Sequence, residues 1–443
     1  MSRDVPICPR RPCVHEAHGV RREDDYAWLR DTSDPQTLAY LRAERDHYDA
    51  QTRHLARLTD VLAAELVGRS PRDEISPRWW EAGAEWFEQL TADHEHEILW
   101  RVDPRTGAAT IALDANTLAE AAGHVDVGLR LPSPDGRLLA YAVDRVGDEV
   151  FQLRFRDLRT GDDLDDVVDR CYYGGAWSAD SSTFFYTVHD DTYRPDRVLR
   201  HRIGEDCEYD ELVMHEPDQK YELQVHGSRD GAWVVVTAAS RDTTEVMLVS
   251  AEQPTERPRL VAPRRPGVEY RVEPLPGGWS GRDEVDRLLL VTNDGREEFD
   301  LRTAPVPPSG GAGDPSSWRP VPGVVLADGD RLELAEVLEQ HVVLAVRRAG
   351  EPVLQLVPRT ALDEPARVVE VAADLPCGQV RLWRARDWRA TSVTVVEENL
   401  VTPPTWHRVD LATGAREQLA CRQAPGVALG DYVTERLWAT APD

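Results

Sequence analysis

Serine-based hydrolysis needs a nucleophile held strained and exposed between a strand and a helix, which a sequence writes as Gly-x-Ser-x-Gly. The nearest approach in this chain is Gly277-Gly278-Trp279-Ser280-Gly281, where the serine has the wrong spacing and the flanks read as strands. Two histidine pairs, His15 with His18 and His94 with His96, have ligand chemistry, but neither pair sits on a helix opposite a third ligand. Asp190-Asp191 with Asp196, and Asp162-Asp163 with Asp165-Asp166, lack the spacing and the glycine of a calcium loop and read as solvated turn acids. Glu397-Glu398 and Glu297-Glu298 are paired carboxylates, but neighbours on a strand face opposite sides and do not share a proton. Trp79, Trp80 and Trp86 read as aromatic core. No catalytic, cofactor-binding or metal-binding residue is assigned on these patterns.

The elements that carry these residues repeat one short phrase. Its clearest copy is Ser133-Pro134-Asp135-Gly136 followed by the apolar run Leu138 to Val143. Pro134 presets φ, Asp135 bonds its own backbone, and Gly136 tolerates φ > 0, so the phrase is a turn leading into a buried strand. It returns at Ser178-Ala179-Asp180-Ser181 and at Ser228-Arg229-Asp230-Gly231, a period of roughly fifty residues. Seven strand-turn-strand units follow one another: 85–113, 138–164, 183–213, 232–261, 287–306, 341–369 and 391–419. A shorter strand, read as an outer one, precedes most of them, as at 221–225 and 379–383. Four strands per unit and seven units make an all-β fold, a seven-bladed β-propeller. A short N-terminal arm of two helices precedes it. Asp34 caps the first, with Pro35 at its first position and Leu38, Leu41, Arg45 and Tyr48 on one face. The second carries Leu55, Leu58, Leu62 and Leu66 and is expected to close at Gly68. Residues before 34 read as irregular, helical periodicity vanishes after Trp79, the loop 305–315 reads as a mobile insertion, and 431–441 reads as a new strand. The expected domains are 1–75, the arm; 76–425, the propeller; and 426–443, the start of a further domain.

A chain of 443 residues is too long for one ordinary core, a limit that radial repetition avoids because each blade packs only on its neighbours. The formal net charge of −27 argues against nucleic acid as a partner. The six cysteines are scattered without a C-x-x-C pair, which argues for reduced thiols and a cytoplasmic location. No signal-peptide core is visible at the N-terminus, and no run is long and apolar enough for a membrane span.

Read in order, the chain resembles the front of the prolyl oligopeptidase family of serine peptidases, in its oligopeptidase B branch. The resemblance rests on His18-Gly19, Asp24-Asp25-Tyr26-Ala27-Trp28-Leu29-Arg30-Asp31, Asp34-Pro35 and Leu38-Ala39-Tyr40-Leu41-Arg42-Ala43-Glu44. It continues at Leu113-Asp114-Ala115-Asn116, Gly147-Asp148-Glu149, Arg200-His201-Arg202-Ile203-Gly204, Thr244-Glu245-Val246, Pro263-Arg264-Arg265, Glu269-Tyr270 and Asp410-Leu411-Ala412-Thr413-Gly414. The stretch 432–441 resembles the segment where that family re-enters its hydrolase domain. The resemblance implies a propeller that limits an α/β-hydrolase domain to short peptides. It also implies that the Ser-Asp-His triad, and the acidic groups selecting Arg or Lys, belong to that hydrolase part, so no catalytic residue is carried onto this sequence. The arginine that the family sometimes places after the glutamate matching Glu149 is Val150 here. Asp25, Tyr26 and Trp28 are expected to dock near a hydrolase domain.

The expected function is therefore the non-catalytic, access-limiting part of an oligopeptidase B-like endopeptidase, inactive alone and without cofactors. The alternatives are a propeller that complements a separately encoded hydrolase chain in trans, or a stand-alone propeller that binds peptides or proteins. The expected ligands are short peptides, basic ones among them, with no nucleic acid and no membrane.

Overall fold

The structure, a computed structural model, describes residues 5–277, 287–363 and 368–442. Of the Gly277–Gly281 stretch, positions 278–281 lie outside the described residues. The chain divides into two compact units, one of residues 1–71 with 424–427 and one of residues 72–423 with 428–443.

In the first unit, the Asp34 carboxylate accepts from the Gln36 backbone N–H at 2.8 Å and starts helix α1, Pro35–Thr52, with Pro35 at its first position. Helix α2 spans Ala56–Arg69 and contains no buried residue. Gly68 lies inside it, and the helix ends where Ser70 turns extended and donates to the Val67 carbonyl. The stretch expected to be irregular holds a hairpin, Val14–Ala17 with Val20–Glu23, turned by His18 and Gly19 at φ 54° and 73°. Trp28 pins the N-terminal segment: its indole N–H donates to the Pro9 carbonyl at 3.0 Å and the Arg11 guanidinium lies 4.1 Å from its ring.

The second unit is a radial series of antiparallel sheets. Blade 1 pairs Trp79–Glu81, Ala84–Leu90, Ile98–Val102 and Ala109–Asp114, with Glu74–Ile75 beside the second strand. Blade 2 holds Asp126–Pro132, Leu138–Asp144, Phe151–Asp157 and the first half of Asp163–Trp177. The second half of that long strand opens blade 3, with Thr183–His189, Pro195–Arg202 and Glu211–His215. Blades 4 to 7 begin at Glu222–Gly227, Tyr270–Leu275, Arg331–Val337 and Gln379–Leu382, each a four-stranded sheet in chain order.

The phrase at Ser133, Ser178 and Ser228 folds identically in all three copies. Each serine hydroxyl accepts from the backbone N–H five residues on at 2.9 Å and donates to the Asp two residues on. The fourth position is left-handed each time, at Gly136 (φ 68°), Ser181 (φ 62°) and Gly231 (φ 74°). The turn joins the first strand of a blade to the second.

The core confirms nearest-neighbour packing. Leu138, Phe155 and Cys171 of blade 2 cluster with Phe184 and Tyr186 of blade 3, and Phe185 and Val198 of blade 3 with Val234 and Val236 of blade 4. Similar clusters join blades 1 and 2, 4 and 5, 5 and 6, and 6 and 7. Fully burying one such Phe or Leu contributes about 1.5–3 kcal/mol.

In the second unit four sequence expectations change. The short strands read as outer ones are the inner edge. Gly175 of blade 3 and His226 of blade 4 pair in parallel, so the first strands of neighbouring blades converge on the axis. A helix α3, Ala115–Ala122, interrupts the strands, capped by the Asp114 side chain on the Asn116 N–H and by Gly123 at φ 80°. The loop 305–315 is tied to the edge of blade 4, with Gly311 and Gly313 exchanging backbone hydrogen bonds with Leu260 at 2.9 and 2.8 Å. Residues 432–442 form no strand, because no neighbouring strand among the described residues offers them a ladder.

Candidate functional site

The sequence candidates scatter. His15 is exposed on the hairpin, 3.7 Å from Cys13 Sγ, and His18 is its turn. His94 Nδ1 lies 2.7 Å from the Thr91 hydroxyl, and the His96 backbone is held by Asn116. Asp190 caps its own turn, where hydrogen bonds from Thr192 hold it well below the usual carboxylate range. Asp196 lies 3.1 Å from Arg197, and Asp163 lies 2.8 Å from Arg156. Glu397 is buried against Arg416, whereas Glu398 lies on the other face, 3.6 Å from Arg381; Glu298 lies 3.1 Å from Arg331. Trp79 and Trp86 are core residues, but Trp80 is exposed. Among the described residues no three His, Cys, Asp or Glu side chains are grouped so as to hold a metal ion.

One buried network of ionisable groups escaped the sequence patterns, and it corrects the reading of Asp166 as a solvated turn acid, because that carboxylate is buried within a strand. His201 has no exposed surface; its Nε2 lies 2.9 Å from Asp166 and its Nδ1 2.8 Å from Asp210. The Tyr186 hydroxyl donates to Asp210 at 2.6 Å, and the Gly204 N–H donates to Asp166 at 2.6 Å. Burial opposes charge on the imidazole, but the hydrogen bonds to Asp210 and Asp166 outweigh it and raise its pKa. Centred on a fully buried imidazole, this cluster welds blade 2 to blade 3.

The first strands build the part of the propeller that a passing molecule would meet. Buried and accessible residues alternate along them: Glu222, Gln224 and His226 are exposed between buried Leu223 and Val225, and Arg271 and Glu273 flank buried Val272. The accessible set is charged and faces the axis. Arg271 donates to the Glu333 carbonyl at 3.3 Å, and Arg229 pairs with Glu336. Glu273 has neither a hydrogen bond nor an ion pair to the described residues; burial, with Glu336 adding to it, pushes its carboxyl up to about 8. Burial raises Glu81 too, against the pull of Arg386, of the Trp79 indole at 3.0 Å and of Arg384. Desolvation by the blades crowded around the axis lowers His226, although its side chain is accessible, helped by Arg386 and Arg229. Residues from blades 1, 4, 5, 6 and 7 thus share one field at the end where the first strands finish, an axial charge ring able to sort polar chains by charge. A cleft of 430 Å³ between blades 6 and 7 is lined by Leu356, Pro358, Val369, Leu411, Ala412 and Thr413 and carries no titratable group.

Comparison with known proteins agrees with this architecture. Residues 6–422 match the family described as prolyl oligopeptidase, N-terminal beta-propeller domain. Protease 2 of Moraxella lacunata is 29% identical over 446 residues, spanning 98% of this chain and 61% of its own length. Dipeptidyl aminopeptidase BI of Pseudoxanthomonas mexicana is 30% identical, spanning 100% of this chain and 61% of its own length. The chain thus spans about 61% of the length of these curated relatives. Among solved structures, oligopeptidase B from Leishmania major superposes with a TM-score of 0.89 at 24% identity, covering 100% of this chain and 64% of that one. The family match over 6–422 and the shared propeller place the chain in the prolyl oligopeptidase family, of which it carries the N-terminal β-propeller domain.

Proposed function

We propose that this chain is the access-limiting propeller and docking arm of an oligopeptidase B-like serine endopeptidase that acts on short, basic peptides. The observation that carries the reading is the family match across 6–422. The charged first strands support it, because an axis lined by Glu222, Arg271 and Glu273 suits extended polar chains. The arm supports it as well: Leu41, Leu58, Leu62 and Leu66 leave an apolar stripe in water, which suits a hydrolase domain as its cover. In this reading the hydrolase part supplies the Ser-Asp-His chemistry, whether joined to the propeller or docking in trans, and a cytoplasmic setting suits the six unpaired thiols. The test is to mix the chain with the separately produced hydrolase part of the Moraxella lacunata relative and to follow cleavage of an arginine-containing tetrapeptide. We expect no turnover by the chain alone and turnover by the mixture, lost on labelling of the active-site serine. Turnover by the chain alone, or no complex on mixing, overturns the proposal.

A further inference from the structure

At the end where the first strands begin, a different chemistry is exposed. Tyr172 and Tyr173 occupy a bulge between the two halves of the strand shared by blades 2 and 3, where the register shifts between Cys171 and Gly175. Their rings meet edge to face at 4.8 Å. Tyr173 leans on Phe151 at 4.8 Å and lies over Gly128, where an added Cβ would meet the Phe151 ring at 2.6 Å and the Tyr173 ring at 3.0 Å. Tyr173 is 38% exposed, and Tyr193 nearby is 58% exposed.

Carboxylates surround these faces. Asp144 accepts three backbone N–H groups, from Val146, Gly147 and Glu149 at 2.8, 2.9 and 2.8 Å, which fixes the loop that presents Glu149 at φ 61°. Glu149 and Glu222 both act on the Tyr172 phenol, which burial and these charges raise; burial, Glu149 and Asp126 raise Tyr173. Neither Glu149 nor Glu222 has an ion-pair partner among the described residues.

Beneath the tyrosines lies His189, 1% exposed, its ring 4.7 Å from Tyr172 and 5.9 Å from Tyr193. Neither of its ring nitrogens has a hydrogen-bond partner among the described residues. A buried polar atom left unpaired is costly unless something else meets it. Burial and the neighbouring Arg170 keep this imidazole neutral, and so an acceptor. Arg170 itself is engaged by the Asp190 carbonyl at 3.2 Å and by Asp191 at 3.8 Å.

Resting on the peptide reading above, we infer that Tyr172, Tyr173 and Tyr193, with Glu149, Glu222 and the free nitrogen of His189, form a subsite for a guanidinium or ammonium side chain of a peptide. Tyrosine faces attract a cation and the carboxylates neutralise it; the neutral imidazole, closed off by Tyr172 and Tyr193 in the free chain, accepts one of its N–H groups once those rings part. The subsite belongs to the propeller and needs no hydrolase residue.

The test titrates the full chain with fluorescently labelled N-acetyl-Arg-Arg-amide, and with the same peptide carrying citrulline in place of arginine. Citrulline keeps the shape and removes the charge. Tyr172→Leu, neutral in charge, should weaken the arginine peptide about tenfold. Glu149→Gln with Glu222→Gln should weaken it about tenfold in low salt and flatten its salt dependence. Glu252→Gln, which removes one exposed charge elsewhere, should leave binding unchanged. Circular dichroism on each variant checks the fold. Equal binding of the citrulline peptide, or Tyr172→Leu binding as the unmodified chain does, overturns the subsite. Reconstituted hydrolysis with unaltered Tyr172→Leu binding refutes the subsite alone; lost binding without reconstituted hydrolysis refutes the gating role alone.

Discussion

His201 shows how one residue ties stability to pH. Its folded pKa lies above the ordinary 6.5 because Asp210 and Asp166 hold the imidazolium against the cost of burial. A group raised in this way contributes its full stabilisation below the unfolded pKa and loses it as pH climbs through the folded value. The gain is therefore present below about pH 6.5 and fades above it. His201→Gln should lower stability by about 3 kcal/mol at pH 6, since it leaves two buried carboxylates without their cation. The gap between the two proteins in urea melts should narrow as the pH rises. A gap that is constant, or that widens with pH, would show that the ring is not held as the cation. Nothing near His201 in the sequence announces this: Asp166 comes from a neighbouring blade, and Asp210 lies nine residues on across a hairpin.

At the scale of elements, the serine turn was legible because each of its positions has a local physical task. Ser133 caps the turn, Asp135 orders it, and Gly136 takes φ 68°. Gly136→Ala would both strain the left-handed backbone and set a Cβ 2.9 Å from the Ala82 carbonyl. The expected loss is about 1–2 kcal/mol, read as a lower urea midpoint with an unchanged slope. Helix α3 was equally local, between Asp114 and Gly123, but eight residues are too few for periodicity to stand out against flanking strands. The axial groups had no such signal. Glu81, His226, Glu273 and Glu336 lie on four different blades, and each looks like an ordinary accessible strand residue until the first strands converge. The inner place of those strands was missed for the same reason, since a short polar strand has one composition at the rim and at the axis.

Across the whole propeller, six apolar clusters join blades 1 through 7 in sequence, whereas between blades 7 and 1 the apolar packing among the described residues is Trp383 against the core shared by blades 1 and 2. That seam is made by side chains. Arg422 forks onto Glu74 with both contacts at 2.7 Å, Arg384 reaches Glu88 at 2.6 Å, and Trp383 meets Trp79 edge to face at 5.9 Å. Among the described residues no strand of blade 7 pairs with one of blade 1. Glu74→Gln should cost about 1 kcal/mol or less, because the pair is partly exposed, and the loss should shrink in 1 M salt. Limited proteolysis should nonetheless cut near residues 74 and 422 sooner in the variant. Cutting that stays as slow as in the parent would show that the Arg384–Glu88 pair and the aromatic contact hold the seam without Glu74.

The long strand Asp163–Trp177 has a mechanical consequence. Its first half completes blade 2 and its second half begins blade 3, with no loop between to absorb motion. A pull on either blade is carried along one backbone into the other, so these two behave as a single stiff sector. Blades 5 to 7 form separate sheets joined to their neighbours by loops, so breathing of the ring is expected in that arc rather than at the joint that carries Tyr172 and Tyr173.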